Sequence, residues 1–261
     1  MAFTVHAVMP GVWHIVDCMG VCMTLLEGEN AAMLVDTGYG IEDVADFMRH
    51  MTDLPLTVFL THNHHDHAMG ARCFPETYML EADMADWNMF TNDKMRRRVL
   101  TQAIGKNLTV DEKTFLAGEI PLPKVMKPGV IDLGGLTAEI IEAPGHTPGS
   151  AVVYVPERKL LLSGDDWNPC TWLFFPQALG LREYRSNMRG IQQLPFEKVL
   201  CPHREALYDR WMFDDFFNAL TDGNLRAAEP VNIAPYEQID TCQATLPHDQ
   251  VFVFDWAKSG L

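Results

Sequence analysis

The first third of the chain alternates short apolar runs with polar turns at strand spacing. "VWHIVD" and "VCMTLLEG" predict a pair of strands, and "AAMLVDTG" predicts a buried strand ending in a glycine turn. "IEDVADFMRHM" places Ile41, Val44, Ala45 and Met48 on one face of a helix. "LTVFL" is β-branched and aromatic, which predicts a buried strand, and it runs directly into "THNHHDH". The second half repeats the scheme. "LTAEIIEA" predicts a strand ending at "PGHTPGS", and "SAVVYV" with "KLLLSGD" a hairpin around "PERK". "FEKVLCPH" predicts a further strand that ends in a histidine. "LYDRWMFDDFFNALTD" carries Phe213, Phe216, Phe217 and Leu220 at helical spacing, and "QVFVFDW" predicts a last strand.

Residues 81–130 break the alternation. "EADMADWNMFTNDKMRRRVLTQAIG" predicts one or two helices and "PLPKVMKPG" a proline-rich connector, so a helical insertion is expected there. No repeat of solenoid length and no low-complexity linker divides the chain. A single domain over 1–261 is therefore expected, with strands and helices alternating and polar side chains gathered at strand ends.

Composition narrows the class. With 48% hydrophobic residues in 261, a sizeable core can be buried. A net charge of −15 argues against nucleic acid or an anionic membrane as partner, and favours a small-molecule substrate; homo-oligomerisation stays open. The N-terminal stretch has no basic start followed by a long apolar run, and no stretch approaches the roughly 18 apolar residues of a membrane-spanning helix. The six cysteines are scattered, so free thiols in a reducing cytoplasm are expected rather than a disulfide framework. Cys18 and Cys22 offer only a lone C-x3-C.

The candidate chemistry sits at the strand ends. "THNHHDH" packs four histidines and an aspartate into seven positions. His62 and His64, two apart on an extended segment, point to one side and can reach one metal. Asp66 and His67 follow as the chain turns into a helix and can reach a second, with His65 left between them. A zinc site takes three or four protein ligands, so each pair needs partners from elsewhere. His146, Asp165 and His203 stand at strand-to-loop junctions flanked by Pro or Gly. Singly, each is explained as a helix cap or a surface histidine; beside the cluster, that explanation fails.

The run "HNHHDH" has the form H-x-H-x-D-H. With "DTG" at 36–38, "PGH" at 144–146, "SGD" at 163–165 and "PH" at 202–203, the chain resembles the metallo-β-lactamase superfamily of hydrolases, whose five motifs appear here in order. The resemblance implies an α/β fold, an αββα four-layer sandwich of two mixed β-sheets with helices outside. It implies two divalent metal ions per chain: His62, His64 and His146 on the first, Asp66, His67 and His203 on the second, and Asp165 bridging. Zinc is the expected metal, and iron or manganese accept the same mixed nitrogen and oxygen set. Asp36 would orient the histidine loop rather than ligate. Two such cations acidify a bridging water, so the expected nucleophile is a metal-bridging hydroxide, with Asp66 orienting it.

Within that superfamily, the true β-lactamases carry Cys or Ser where Asp165 stands, and flavodiiron proteins carry Glu where His64 stands. Nuclease members add domains that are not visible here. What remains is an ester, thioester or lactone hydrolase, with a mononuclear iron sulfur-dioxygenase or a phosphodiesterase as the alternatives. The short acidic and apolar C-terminal segment argues against glutathione thioesters, whereas the insertion at 81–130 suits a cover over the site. "DDWNPCTWLFFPQALG" is rich in Trp and Phe and can line an apolar pocket or fill the core. Tyr39, Tyr184 and Trp167 are candidates for an oxyanion or substrate contact. The "RRR" at 96–98 is expected to be a solvated helix face or to meet an anionic substrate.

Overall fold

The computed structural model describes residues 3–261; Met1 and Ala2, which the single-domain expectation includes, lie outside the described residues. A seven-stranded mixed sheet runs in the order Thr4–Met9, Val12–Val16, Cys22–Glu27, Ala32–Val35, Leu56–Phe59, Tyr78–Met79, Lys124–Val125. Its first three pairings are antiparallel and its last three parallel. A six-stranded mixed sheet faces it, in the order Tyr208–Asp209, Lys198–Leu200, Leu160–Leu162, Ala151–Val155, Thr137–Glu142, Gly129–Asp132.

Alternation along single strands explains the layering. In Ala32–Val35 every residue is buried. Met33 and Val35 pack inward against Val153, Leu160 and Leu162 of the second sheet. Ala32 and Leu34 pack outward against Val44, Ala45 and Met48 of the helix Val44–Met51. The period of two thus puts one sheet between a helix and the other sheet. The second sheet repeats this: Val152, Leu161 and Val199 turn outward to Phe213 and Phe216 of the helix Arg210–Ala219 and to Tyr184 and Met188 of the helix Leu181–Ile191. The result is the α/β, helix–sheet–sheet–helix sandwich that the motifs imply.

A third, four-stranded sheet adds to these two, in the order Cys170–Leu173, Gln250–Asp255, Thr241–Leu246, Glu229–Pro230. It takes up the last predicted strand and closes the outer side of the second sheet with Phe252 and Phe254. Residues 81–130 hold the helices Trp87–Thr91, Asp93–Gly105 and Glu112–Phe115. All six cysteines are free. No described helix is long and apolar enough to cross a membrane.

The candidate residues follow strand ends on one edge. Ala32–Val35 pairs in parallel with Leu56–Phe59, and Leu160–Leu162 with Lys198–Leu200. The carboxyl ends of the members of each parallel pair therefore point the same way, which is where open α/β sheets gather their loops.

Candidate metal centre

Two groups of side chains offer ligand atoms that converge within 4.8 Å: His62, His64, His146 and Asp165, and separately Asp66, His67 and His203. The two groups meet at Asp165. Its Oδ2 lies 3.5 Å from His146 Nε2, while its Oδ1 lies 3.4 Å from His67 Nε2 and 3.0 Å from His203 Nε2. Asp66 Oδ2 stands 3.8 Å from His67 Nε2 and 3.7 Å from His203 Nε2. His65 belongs to neither group.

The loops that carry these residues are held from behind. Asp36 adopts a left-handed conformation (φ 64°), which aspartate tolerates better than most residues. Its Oδ1 accepts the Thr61 amide at 2.8 Å, and its Oδ2 accepts His67 Nδ1–H at 2.9 Å. Thr61 Oγ1 donates to the same carboxylate and accepts from His62 Nδ1 at 3.0 Å. His146 Nδ1 donates to the Trp172 carbonyl at 2.7 Å. Each bond fixes Nδ1 as the donor and aims Nε2 inward. His64 is turned the other way round, with Nδ1 2.8 Å from His146 Nε2 and Nε2 2.6 Å from the Gln177 side-chain amide.

Glycine is required twice for this geometry. A Cβ on Gly145 would lie 2.4 Å from the Tyr184 ring, so the "PGH" turn can approach that helix only without one. Gly164 turns at φ +51°, which swings Asp165 from the strand end into the centre.

The residues present fit a pair of cations. His62 Nε2, His67 Nε2 and Asp165 Oδ1 are buried without a hydrogen-bond partner, which is costly unless another group completes them. The protonation states agree. Burial, then the crowding of neighbouring imidazoles, pushes His62 well below the ordinary histidine range, and burial does the same to His64 and, less strongly, His146. Burial works against ionisation of Asp66, but His67, His65 and His203 outweigh it and hold the carboxyl at about 2. Asp165 is held well below the usual carboxylate range against its burial, by His203 and His67. Neutral imidazoles and ionised carboxylates are what a divalent cation binds. His67 and His203 differ: against burial, Asp165 in particular raises both, so these two are the ligands that hold protons most readily against a cation.

A cavity of about 470 Å³ opens over these residues. Tyr39 lines it, and burial followed by the Asp66 charge raises its phenol, so it stays a hydrogen-bond donor. Tyr184 and Trp167 do not line it. Both are fully buried. Tyr184 donates to the Asp166 carbonyl and stacks on Phe252, so it backs the His146 loop. Trp167 donates to Gln250 Oε1 at 3.3 Å and packs on Phe213. The expectation of a substrate contact from these two is corrected, because the outer layer of helices and the third sheet claims their rings. The aromatic run after Asp165 splits instead: Trp172 and Phe175 reach the cavity, and Phe174 is fully buried. The arginine run splits too, with Arg96 buried under the carbonyls of Phe115 and Gly118 and Arg98 at the cavity. Asp166 accepts the His146 amide at 3.1 Å.

Two supporting residues were not legible as such. Asp83, 1% exposed, accepts the Asn63 amide at 3.2 Å, the Thr147 hydroxyl at 2.7 Å and the Gly149 amide at 2.6 Å, so it ties both histidine loops together. Gln177 reaches His64. Neither sits in a motif, and only an acidic residue opening the insertion hinted at the first.

Comparison with known proteins agrees with this geometry. A family model described as the metallo-beta-lactamase superfamily matches residues 16–203. The acyl-coenzyme A thioesterase MBLAC2 of Gallus gallus is 26% identical over 202 residues, covering 69% of this chain and 70% of that one. The hydroxyacylglutathione hydrolase of Bartonella tribocorum is 25% identical over 150 residues, covering 56% of this chain and 48% of that one, so the match spans about half of that relative. Among solved structures, a metallo-beta-lactamase from Pontibacter korlensis superposes with a TM-score of 0.61 at 17% identity, covering 85% of this chain and all of that one. At that identity the likeness is one of fold.

Proposed function

As a member of the metallo-beta-lactamase superfamily this chain is a metal-dependent hydrolase, and we propose that it cleaves a small-molecule ester, thioester or lactone at a two-metal centre. The observation that carries the reading is Asp165, whose carboxylate stands between the two histidine groups, 3.5 Å from His146 on one side and 3.0 Å from His203 on the other. His62, His64 and His146 would hold one cation, Asp66, His67 and His203 the other, and Asp165 both. Two divalent ions held there supply Lewis acidity, acidifying a water and polarising the scissile carbonyl. Zinc suits the mixed set of imidazoles and carboxylates.

The chain's own groups do the rest. Asp66, kept ionised beside His67 and His203, accepts a hydrogen bond from the attacking water and aims it. Tyr39, kept protonated by burial, donates a hydrogen bond to the oxygen that gains charge. Asp36 and Thr61 hold the rings of His67 and His62 so that Nε2 points inward. Phe90, Trp172 and Phe175 exclude water from one side of the cavity. The helices of 81–130, which bring Phe90, Arg98 and Gln102 to the cavity, act as its cover within a single domain.

The names of the two matched relatives, a thioesterase and a hydroxyacylglutathione hydrolase, favour carbonyl esters over phosphodiesters. The test is a substrate panel. Metal-loaded protein should turn over at least one ester, thioester or lactone and lose that activity on chelation. Turnover of phosphodiesters alone, or oxygen uptake on a persulfide, would replace this reading.

A further inference from the structure

The cavity has two unlike ends. On the His64 and His146 side the wall is aromatic. Phe90 and Phe175 lie 4.5 and 4.8 Å from the His64 ring, and Phe175 lies 5.3 Å from that of His146. Trp172, 6.2 Å from Phe175, and Tyr236, 5.4 Å from it, extend the wall outward. On the Asp66 and His203 side the lining is polar and cationic: Tyr39 against His65 (5.5 Å), with Arg98 and Arg204. The charge of Arg98 acts on both Tyr39 and His65, which sets it at this end. Arg204 directly follows His203 and bonds that residue's carbonyl at 2.8 Å.

The state of these two arginines is informative. Their neighbours in sequence are spoken for: Arg96 pairs with Asp93 and Arg97 with Glu112. Among the described residues, neither Arg98 nor Arg204 forms an ion pair with a carboxylate. Both are exposed. A chain of net charge −15 repels anions at long range. Two guanidiniums without carboxylate partners line the cavity and offer positive charge there. Guanidinium is also the side chain best shaped to grip a carboxylate or phosphate.

We propose that the substrate is an ester or thioester with a bulky apolar group on one side of the scissile bond and a carboxylate or phosphate on the other, the anion held by Arg98 and Arg204. This rests on the hydrolase reading above and adds the substrate's polarity to it. The apolar group lies along Phe90, Trp172 and Phe175. The scissile carbonyl then sits over Asp165, between the two histidine groups, and the anion reaches the arginines.

Three thioesters of phenylbutanoic acid test it on the metal-loaded protein: one with a carboxylate on the thiol side, one with a phosphate monoester there, and one uncharged and of equal length. The charged thioesters should exceed the uncharged one roughly tenfold or more in kcat/KM, and the gap should shrink at high salt. Whichever anion gains more names the natural group. Arg98→Gln and Arg204→Gln should each pull the charged-to-uncharged ratio toward one, and Arg98→Glu should reverse it. Arg97→Gln, remote from the cavity, should leave the ratio as it is. Equal turnover of all three thioesters, or arginine variants that slow all three alike, would overturn the proposal. If no thioester is cleaved, the chemistry of the scissile bond is other than a thioester, and the substrate panel above decides the hydrolase reading separately. Binding of the uncleavable thioether analogues of the carboxylate-bearing and the uncharged thioester, read by tryptophan fluorescence in wild type and Arg98→Gln, then decides the subsite. A preference for the carboxylate analogue that Arg98→Gln removes upholds it, and no preference overturns it.

Discussion

Asp83 accepts the Thr147 hydroxyl at 2.7 Å across 64 residues of sequence. The bond ties the helical insertion to the loop that carries His146, and the same carboxylate also takes the amides of Asn63 and Gly149. One buried side chain therefore sets the spacing of the two histidine loops.

Removing it should loosen both loops at once. Asp83→Ala leaves three buried donors without an acceptor, which should cost roughly 3 kcal/mol of stability by denaturant unfolding and weaken metal binding. Asp83→Asn keeps one oxygen acceptor and should cost less on both measures. Full metal affinity in the alanine variant would show that the loops hold their spacing unaided.

The ligand assignment separates neighbours in sequence. His64→Ala or Asp165→Ala should abolish hydrolysis and lower bound metal. His65→Ala should leave metal content near that of wild type, because His65 belongs to neither converging group. Metal analysis of the purified variants decides it, and an equal loss from the His65 change would contradict the assignment.

Metal binding should release protons. Asp165 raises both His67 and His203 against their burial, His67 the further, so these two are the ligands that hold protons most readily in the metal-free chain. A cation must displace those protons, whereas His62, His64 and His146, lowered by burial, have none to give. Zinc titration in weakly buffered solution should therefore release protons near neutrality, fewer as the pH rises. Affinity should fall with acidification. Release of none near pH 7 would contradict this.

His14 should shape acid stability independently. It is 1% exposed, with Nδ1 3.0 Å from Thr24 Oγ1 and Nε2 3.1 Å from the Arg204 carbonyl. Nε2–H donating and Nδ1 accepting satisfy the neutral ring, and burial lowers its affinity for a proton. Below about pH 6.5 the unfolded chain binds a proton that the folded chain refuses, so stability falls with pH there and is untouched above. The slope from this residue is at most about 1.4 kcal/mol per pH step. Denaturation of metal-free wild type and His14→Gln at about pH 7.5 and about pH 5.5 should show the variant losing less on acidification.

What the sequence made legible was local. His62, His64, Asp66 and His67 could be read because their spacing, on a strand end running into a helix, sets their directions. Met33 and Val35 against Ala32 and Leu34 could be read as a strand, but not which layer each would meet. Trp167 and Tyr184 misled for the opposite reason. They flank the motifs in sequence or composition, yet packing against Phe213 and Phe252 turns them away from the cavity. Asp83 and Gln177 escaped because their partners lie 64 and 113 residues away. Arg98 was legible only as part of a charged run, since its separation from Arg96 and Arg97 depends on which face of the helix Asp93–Gly105 meets the core.

The central claim is that two cations act together across Asp165 on an ester carbonyl. Stepwise addition of zinc to the metal-free chain, with bound metal and thioester hydrolysis followed in the same samples, tests it most directly. The account predicts that activity rises to a plateau at about two equivalents per chain and that Asp165→Asn breaks the link between the second equivalent and activity. Full activity at one equivalent, or a chain that holds one iron and consumes oxygen without cleaving any ester, would contradict it.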